Sequence, residues 1–325
     1  MKPLILTVIM VTAMAAPTRT SELASLSSAT EWINSPPLNE EGLQGRVVLV
    51  QFWTYSCVNW IRTLPYVRAW DQKYRDKGLV VIGVHAPEFE FESRLANARW
   101  GAKHFAVDYP VAVDNEFSIW RAFDNRYWPA LYLIDGLGRI RYRHFGEEEY
   151  EQSERAIQEL LAEAGARGVG RDLVSVTPRG AEAAADWDNV KTPETYLGSE
   201  RSENRVASGV RLRLNQWALE GNWTVHREPA VLNSANGRIV YRFHARDLNL
   251  VMGPGARGKP VRFRVLIDGR PPGPAHGVDV DEQGNGAVAE PRMYQLIRQP
   301  GPVADRQFEI QFLDPGIEAF VFTFG

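Results

Sequence analysis

The sequence predicts two domains of different kinds: a mixed α/β domain, then an all-β sandwich of jelly-roll type. Three observations carry this. The 325 residues suit two domains at roughly 100–200 residues each. Between Val47 and Ala164, short apolar runs alternate with stretches of helical spacing. From Ala207 onward, brief alternating runs are separated by Gly, Pro and Asn.

In the first half, Val47–Trp53 and Leu79–His85 read as strands buried on both faces. Between them Ile61, Leu64, Val67 and Trp70 recur at helical spacing up to Tyr74, and Gly78 stops the helix. Phe89–Phe105 reads as a helix, Pro110–Val113 as a strand and Phe117–Phe123 as a further helix. Pro129–Asp135 and Arg139–Arg143 flank the turn Asp135-Gly136-Leu137-Gly138 and form a hairpin. A helix over Ser153–Ala164 closes the half, giving a mixed sheet covered on both faces. In the second half the strands expected are 210–214, 223–225, 239–243, 248–251, 261–267, 278–280, 308–312 and 319–324. The domain plan is a signal peptide over 1–16, an α/β domain over 28–165, a connecting segment over 166–205 and a β domain over 206–325.

Composition narrows the function. The chain is 44% hydrophobic and 24% charged, which excludes a disordered or coiled-coil chain. Its 37 basic and 40 acidic residues leave a net charge of −3, with no basic footprint for nucleic acid. A single cysteine, Cys57, rules out an internal disulfide and any zinc site built from several thiolates. The six histidines are scattered without metal-ligand spacing. No metal or cofactor is expected. Lys2, the apolar run Leu4–Met14 and the sequence Ala13-Met14-Ala15 describe a secretory signal, so export is expected. No later segment is long and apolar enough to span a bilayer.

Cys57 follows a strand and opens a helix, where unpaired N–H groups stabilise a thiolate. A buried, inert thiol is the alternative. The surrounding residues Phe52-Trp53-Thr54-Tyr55-Ser56-Cys57-Val58-Asn59 and Arg62–Trp70 resemble the active-site region of DipZ-type thioredoxin-like proteins. These belong to the exported, TlpA-like thiol–disulfide oxidoreductases. Gly83–Phe89, Tyr127–Asp135, Asn215–Leu219, Tyr241–Leu248, Gly277–Asp281 and Phe312–Gly316 extend the resemblance over nearly all of the expected mature chain. It implies a thioredoxin fold with Cys57 as nucleophile inside a motif containing Thr54, Asn59 and Trp60. It also implies a cis Trp128–Pro129 loop that faces the cysteine and binds substrate backbone. The second half resembles that family's C-terminal domain, which looks like a carbohydrate-binding module. The family's transmembrane electron-transfer domain is not expected in this chain, and a signal peptide is expected in its place.

The departure is chemical. Where the family has Cys-x-x-Cys, this chain has Cys57-Val58-Asn59-Trp60. A first thiolate can still attack a disulfide, but no second thiolate resolves the mixed disulfide. Trp60 lies three residues after Cys57 and is expected to share its helix face and cover the thiol. The helix start is expected to hold the thiol below ~8.5 all the same. Glu88, at the carboxyl end of a strand, is placed either near Cys57 as a proton relay or in solvent, with His85 a weaker candidate. Thr54-x-x-Cys57 also echoes a peroxidatic motif. Asp279-Val280-Asp281 with Glu290 superficially fits a calcium loop, but strand-like flanks favour a turn. Trp187, Trp217 and Trp223 suit either sugar stacking or the core.

Three functions are carried forward. The first is an exported thiol–disulfide oxidoreductase limited to monothiol chemistry. Its partners would be a disulfide-bearing protein or small thiol, with a membrane thiol reductase completing the cycle. The second is a redox-inactive scaffold that binds a peptide or glycan. The third is a one-cysteine peroxidase.

Overall fold

The run Val47–Trp53 is buried at every position, as befits a central strand packed on both faces. The computed structural model describes residues 21–255 and 259–325, so the segment read as a signal peptide lies outside the described residues. The first domain runs β1 (Glu31–Ile33), α1 (Glu40–Leu43), β2 (Val47–Trp53), α2 (Val58–Tyr74), β3 (Leu79–His85) and α3 (Leu95–His104). It continues with β4 (Val111–Val113), α4 (Ser118–Ala122), β5 (Ala130–Ile134), β6 (Ile140–Phe145) and α5 (Tyr150–Glu163). The sheet order is β1-β4-β3-β2-β5-β6. Strands β2, β3 and β4 are parallel, whereas β1, β5 and β6 run antiparallel to their neighbours. This is a thioredoxin-like fold.

The pleat sorts β2 between two cores. Val47, Leu49 and Trp53 pack with residues of α2, α3 and α5, while Val48, Val50 and Phe52 pack with Ile119, Phe123 and the short turn carrying Leu23 and Leu26. Gly78, at φ +100, ends the helical segment where a side chain would be strained. The helix read over 89–105 is broken: a 3₁₀ turn spans Glu90–Ser93 and α3 starts only at Leu95. The Glu92 carboxylate causes this by accepting the N–H groups of Glu88 and Phe89.

The second domain holds β7 (Thr195–Tyr196), β8 (Trp217–Glu220), β9 (Trp223–Val225), β10 (Ala230–Leu232), β11 (Gly237–Phe243) and β12 (Asp247–Pro254). After these come β13 (Val261–Ile267), β14 (Asn285–Val288), β15 (Arg292–Arg298), β16 (Arg306–Phe312) and β17 (Ile317–Phe324). They form two antiparallel sheets, β15-β12-β17-β10-β9 with β7 on β17, and β14-β13-β16-β11-β8. The fold class is therefore α/β plus all-β. The runs 210–214 and 278–280 are not strands. Arg213 N–H is taken by the Gln216 side chain, and Asp279 accepts Gln295 N–H and pairs with Arg292, so side chains replace a ladder at both places. Asp281 caps the following turn by accepting Asn285 N–H, so both aspartates of the calcium-like motif have local partners.

One contrast between strands explains how the site is roofed. β13 alternates between buried and outward positions, as a strand with one wet face does, but β12 is buried along nearly its whole length. Leu248, Leu250 and Met252 of β12 fill the sandwich core, whereas Val251, with Met293, Phe320 and Val321, joins the core of the first domain. The sheet containing β12 and β17 therefore lies directly on the α/β domain. Arg62 of α2 fixes this apposition: it is buried, pairs with Glu147 at 3.0 Å and donates to the Phe324 carbonyl at 3.3 Å. The connecting segment is packed as well, through Arg68–Glu182 at 2.6 Å and Arg298 to the Gly180 carbonyl at 2.7 Å. Among the described residues, no helix is long and apolar enough to cross a membrane.

Candidate active site

Cys57 occupies the N-cap position of α2, one short loop beyond the end of β2. Its thiol lies 3.8 Å from the Trp128 carbonyl oxygen, to which it can donate. The Trp128–Pro129 bond is cis. The Trp128 indole donates to the Ala86 carbonyl at 3.1 Å, which ties this loop to the end of β3. On the other side, Glu92 secures the cysteine turn. Fully buried, it accepts from Ser56 Oγ at 2.6 Å, Ser56 N–H at 3.3 Å, Glu88 N–H at 2.7 Å and Phe89 N–H at 3.0 Å. Burial pushes its carboxyl up to about 7, against the pull of Ser56 and the other donors.

A raised carboxyl has a definite sign. The stability this group confers is present below its unfolded value of 4.5 and is lost as pH rises through about 7. Glu92→Leu keeps much of the volume but strands buried donors, and is expected to cost about 2–3 kcal/mol. Thermal melts should show that loss. They should also show a flatter pH dependence between 4.5 and 7 than the parent chain.

Trp60 does not cover the thiol, contrary to the expectation from its spacing. Its side chain points into the core, stacks on Trp53 at 4.2 Å and meets Phe105 edge-on at 5.4 Å. Its Nε1 lies 3.3 Å from Gln51 Oε1, which gives the buried indole its one polar partner. The surrounding residues fit this arrangement: a Cβ at Gly83 would come 2.6 Å from Trp53 Nε1, so a glycine there lets Trp53 lie under Trp60. A helix N-cap residue and one three positions on differ enough in direction for one side chain to face a cleft while the other fills the core.

The roof over Cys57 comes from the connecting segment and the second domain. Cys57, Asn59 and Glu88 line a cleft of about 180 Å³ with Trp187, Thr192, Glu194, Val251, Thr323 and Phe324. This cover overturns the expected low thiol pKa. Burial pushes the Cys57 thiol well above its ordinary value, and the negative charges of Glu88 and Glu194 push the same way. The backbone N–H groups of Trp60 and Asn59 pull down, as a helix start does, and are outweighed.

Glu88 is part of a bridge between the domains. Its Oε1 accepts from the Tyr196 hydroxyl at 2.7 Å and from Arg201 at 2.9 Å. The Tyr196 hydroxyl also lies 3.0 Å from Glu194 Oε2, and the Arg201 guanidinium stacks 3.5 Å above the Tyr196 ring. Glu194 keeps an exposed side chain, and crowding by the surrounding protein with the charge of Glu88 beside it raises its carboxyl above the usual range. His85 is buried between Trp53 and Tyr55, and burial lowers it to about 3, so it stays neutral and outside the site.

The cleft thus gathers Cys57, Asn59 and Glu88, with Trp128 and Pro129 beside the sulfur, while Thr54 and Trp60 belong to the buried support. Sequence reasoning missed Glu92, Glu194, Tyr196 and Arg201. Each is an ordinary polar residue in a segment without a motif, and only the fold gathers them around Ser56 and Glu88. Trp217 is fully buried and Trp223 packs on Phe312, which leaves Trp187, 42% exposed, at the cleft.

Residues 33–161 match the Redoxin family, and residues 192–325 match the family described as thioredoxin like C-terminal domain. The DipZ proteins of Mycobacterium bovis and Mycobacterium tuberculosis are each 36% identical over 267 residues, covering 76% of this chain and 36% of theirs. The chain therefore spans about a third of the length of those relatives. The thiol-disulfide oxidoreductase YkuV of Bacillus subtilis is 28% identical over 141 residues, 43% of this chain and 95% of its own. Among solved structures, a thioredoxin-like protein in the oxidized form shows 30% identity at a TM-score of 0.38, over 41% of this chain and 90% of that one.

Proposed function

We propose, for a chain that belongs to the DipZ-type thiol–disulfide oxidoreductases, that Cys57 exchanges disulfides as a monothiol. The observation that carries this reading is the position of the chain's single sulfur. It sits at a helix start, 3.8 Å from the Trp128 carbonyl, on the wall of a cleft of about 180 Å³. The Cys57 thiolate attacks a disulfide, one sulfur joins Cys57 and the other leaves as a thiol carrying the proton. With a buried tryptophan at position 60, the mixed disulfide waits for an external thiol or a membrane thiol reductase. The cleft volume favours a small disulfide, or one exposed loop of a protein, over a bulky folded surface. The signal-like amino terminus supports export of the chain to an oxidising compartment.

The raised thiol favours a second reading, a scaffold that binds a peptide or glycan without redox chemistry. A one-cysteine peroxidase is less well supported. Such a thiolate needs a nearby cation, and the cleft wall offers Glu88 and Glu194 instead.

Intact mass measurement separates the first two readings. Folded protein exposed to bis(2-hydroxyethyl) disulfide should gain one adduct, lose it on adding a monothiol, and gain none as Cys57→Ser. An adduct that forms only after denaturation would leave the scaffold reading in possession.

A further inference from the structure

Resting on the monothiol reading, we propose that Trp187 determines which partners reach Cys57. It admits a thiol or disulfide on a small molecule or flexible chain and slows one fixed on a rigid folded surface. The cleft at Cys57 is walled by α2, by β12 and β17 of the second domain, and by the connecting segment that carries Trp187. Trp187 is the largest side chain in that wall. It is 42% exposed, whereas Val58, Val251, Val321 and Phe324 of the same wall are buried. A side chain that lines the cavity and is open to water at once stands where the cavity meets solvent.

The chain fixes the indole at this mouth from both domains. Trp187 lies in a short turn that closes on itself, with Asn189 N–H donating to the Asp186 carbonyl at 2.9 Å and the Asn189 side chain to the Asp186 carboxylate at 3.0 Å. On either side the segment is tied to the second domain. Arg246 donates to the Ala184 carbonyl at 2.6 Å before the turn. After it, Lys191 N–H donates to the His244 carbonyl at 3.0 Å and His244 N–H to Thr192 Oγ1 at 2.7 Å. The ring itself meets the first domain, where the Arg62 guanidinium of α2 lies 5.9 Å from its centroid, within cation–π reach. Arg62 is held in turn, being buried and paired with Glu147 at 3.0 Å. Trp187 therefore spans from a segment anchored on the second domain to the helix that begins at Cys57.

A monothiol cycle makes this position count twice. After the first exchange Cys57 carries half of the substrate as a mixed disulfide, and no other thiol of the chain exists to displace it. The resolving thiol enters by the same mouth as the substrate. Its S–H bond breaks, its sulfur bonds to the substrate sulfur, the Cys57 S–S bond breaks, and Cys57 leaves as a thiol with the proton. The step balances without another reactant. A slender thiol passes the indole, but a thiol set in a rigid surface meets the ring before the sulfur. The choice of resolving partner, which a second cysteine would otherwise remove, falls to Trp187.

The test loads the full chain with bis(2-hydroxyethyl) disulfide and follows release of the adduct by intact mass. Two thiols are compared: 2-mercaptoethanol, and ubiquitin bearing one surface cysteine. Each rate for Trp187→Ala is divided by the parent rate with the same thiol, which removes intrinsic differences between the thiols. The indole packs in neither domain core, so the variant should fold, and a thermal melt checks this. The ratio should be about ten or more for the ubiquitin thiol and within about twofold of one for 2-mercaptoethanol. Trp187→Phe, with its smaller ring, should give about three for the ubiquitin thiol, and it decides the matter if the alanine variant does not fold. Ratios near one for both thiols overturn the inference and leave the monothiol reading standing. An equal rise for both overturns it too, since losing the indole then loosens the whole cleft. Failure of the folded parent chain to take up the adduct removes the monothiol reading and this inference with it.

Discussion

Trp60→Cys is expected to convert a chain that cannot complete a dithiol cycle into one that can, at a large cost in stability. In the parent chain, catalytic turnover of insulin-type disulfides is expected to be absent, because position 60 supplies no resolving thiolate. A second thiol there would stand in the first turn of α2, three residues from Cys57, where it could close a disulfide with it. The indole it replaces is fully buried, stacked on Trp53 and packed against Phe105. Removing so large a side chain leaves a cavity the surrounding rings cannot fill, so the reduced variant should lose about 3–5 kcal/mol. Chemical denaturation measures that loss and an insulin turbidity assay measures the turnover. A folded variant that stays inert would mean the site has diverged beyond this one position. A variant of unchanged stability would mean Trp60 is not packed as described.

The α/β half could be read from its sequence because its strands are continuous apolar runs and its helix ends carry glycine. Val47–Trp53, Leu79–His85 and the Asp135–Gly138 hairpin appear where the pattern puts them. The β half was harder. β10 and β15 lack a clean period, and 210–214 alternates as a strand would while its hydrogen bonds go to side chains. The site divides in the same way. Cys57, Trp128 and Pro129 belong to local motifs and could be named. The charges that govern the thiol could not, since Glu194 lies 137 positions from Cys57 in the chain and meets it only because the second sheet packs on the first domain. Trp60 shows the limit of spacing alone: its place in the helix was correct, and the direction of its side chain was decided by a core that spacing does not reveal.

The second large effect concerns Cys57 itself. Its alkylation by iodoacetamide at pH 7 is expected to be at least about 100-fold slower in the folded chain than in denaturant. Every unit of upward shift removes tenfold of the thiolate. The shift is upward through burial first, with Glu88 and Glu194 adding to it. The folded rate should climb about tenfold per pH unit up to pH 9 and beyond without levelling, where an unperturbed thiol levels near ~8.5. The linked stability has a matching sign. A raised thiol favours folding below the unfolded value and loses that contribution as pH rises above ~8.5. A plateau near pH 7 would instead mean that the helix start prevails over burial.

The central claim is that Cys57 reacts within the folded chain, through the cleft between the domains. Parallel labelling of the native protein at pH 8 with iodoacetamide and with a bulky maleimide tests it most directly, each rate being taken relative to the denatured chain. Access through a cleft of about 180 Å³ predicts a normalised rate for the small reagent at least about tenfold above that for the bulky one. Equal and very slow normalised rates for both would mean that labelling waits for the protein to open, and would contradict a working thiol in the native state.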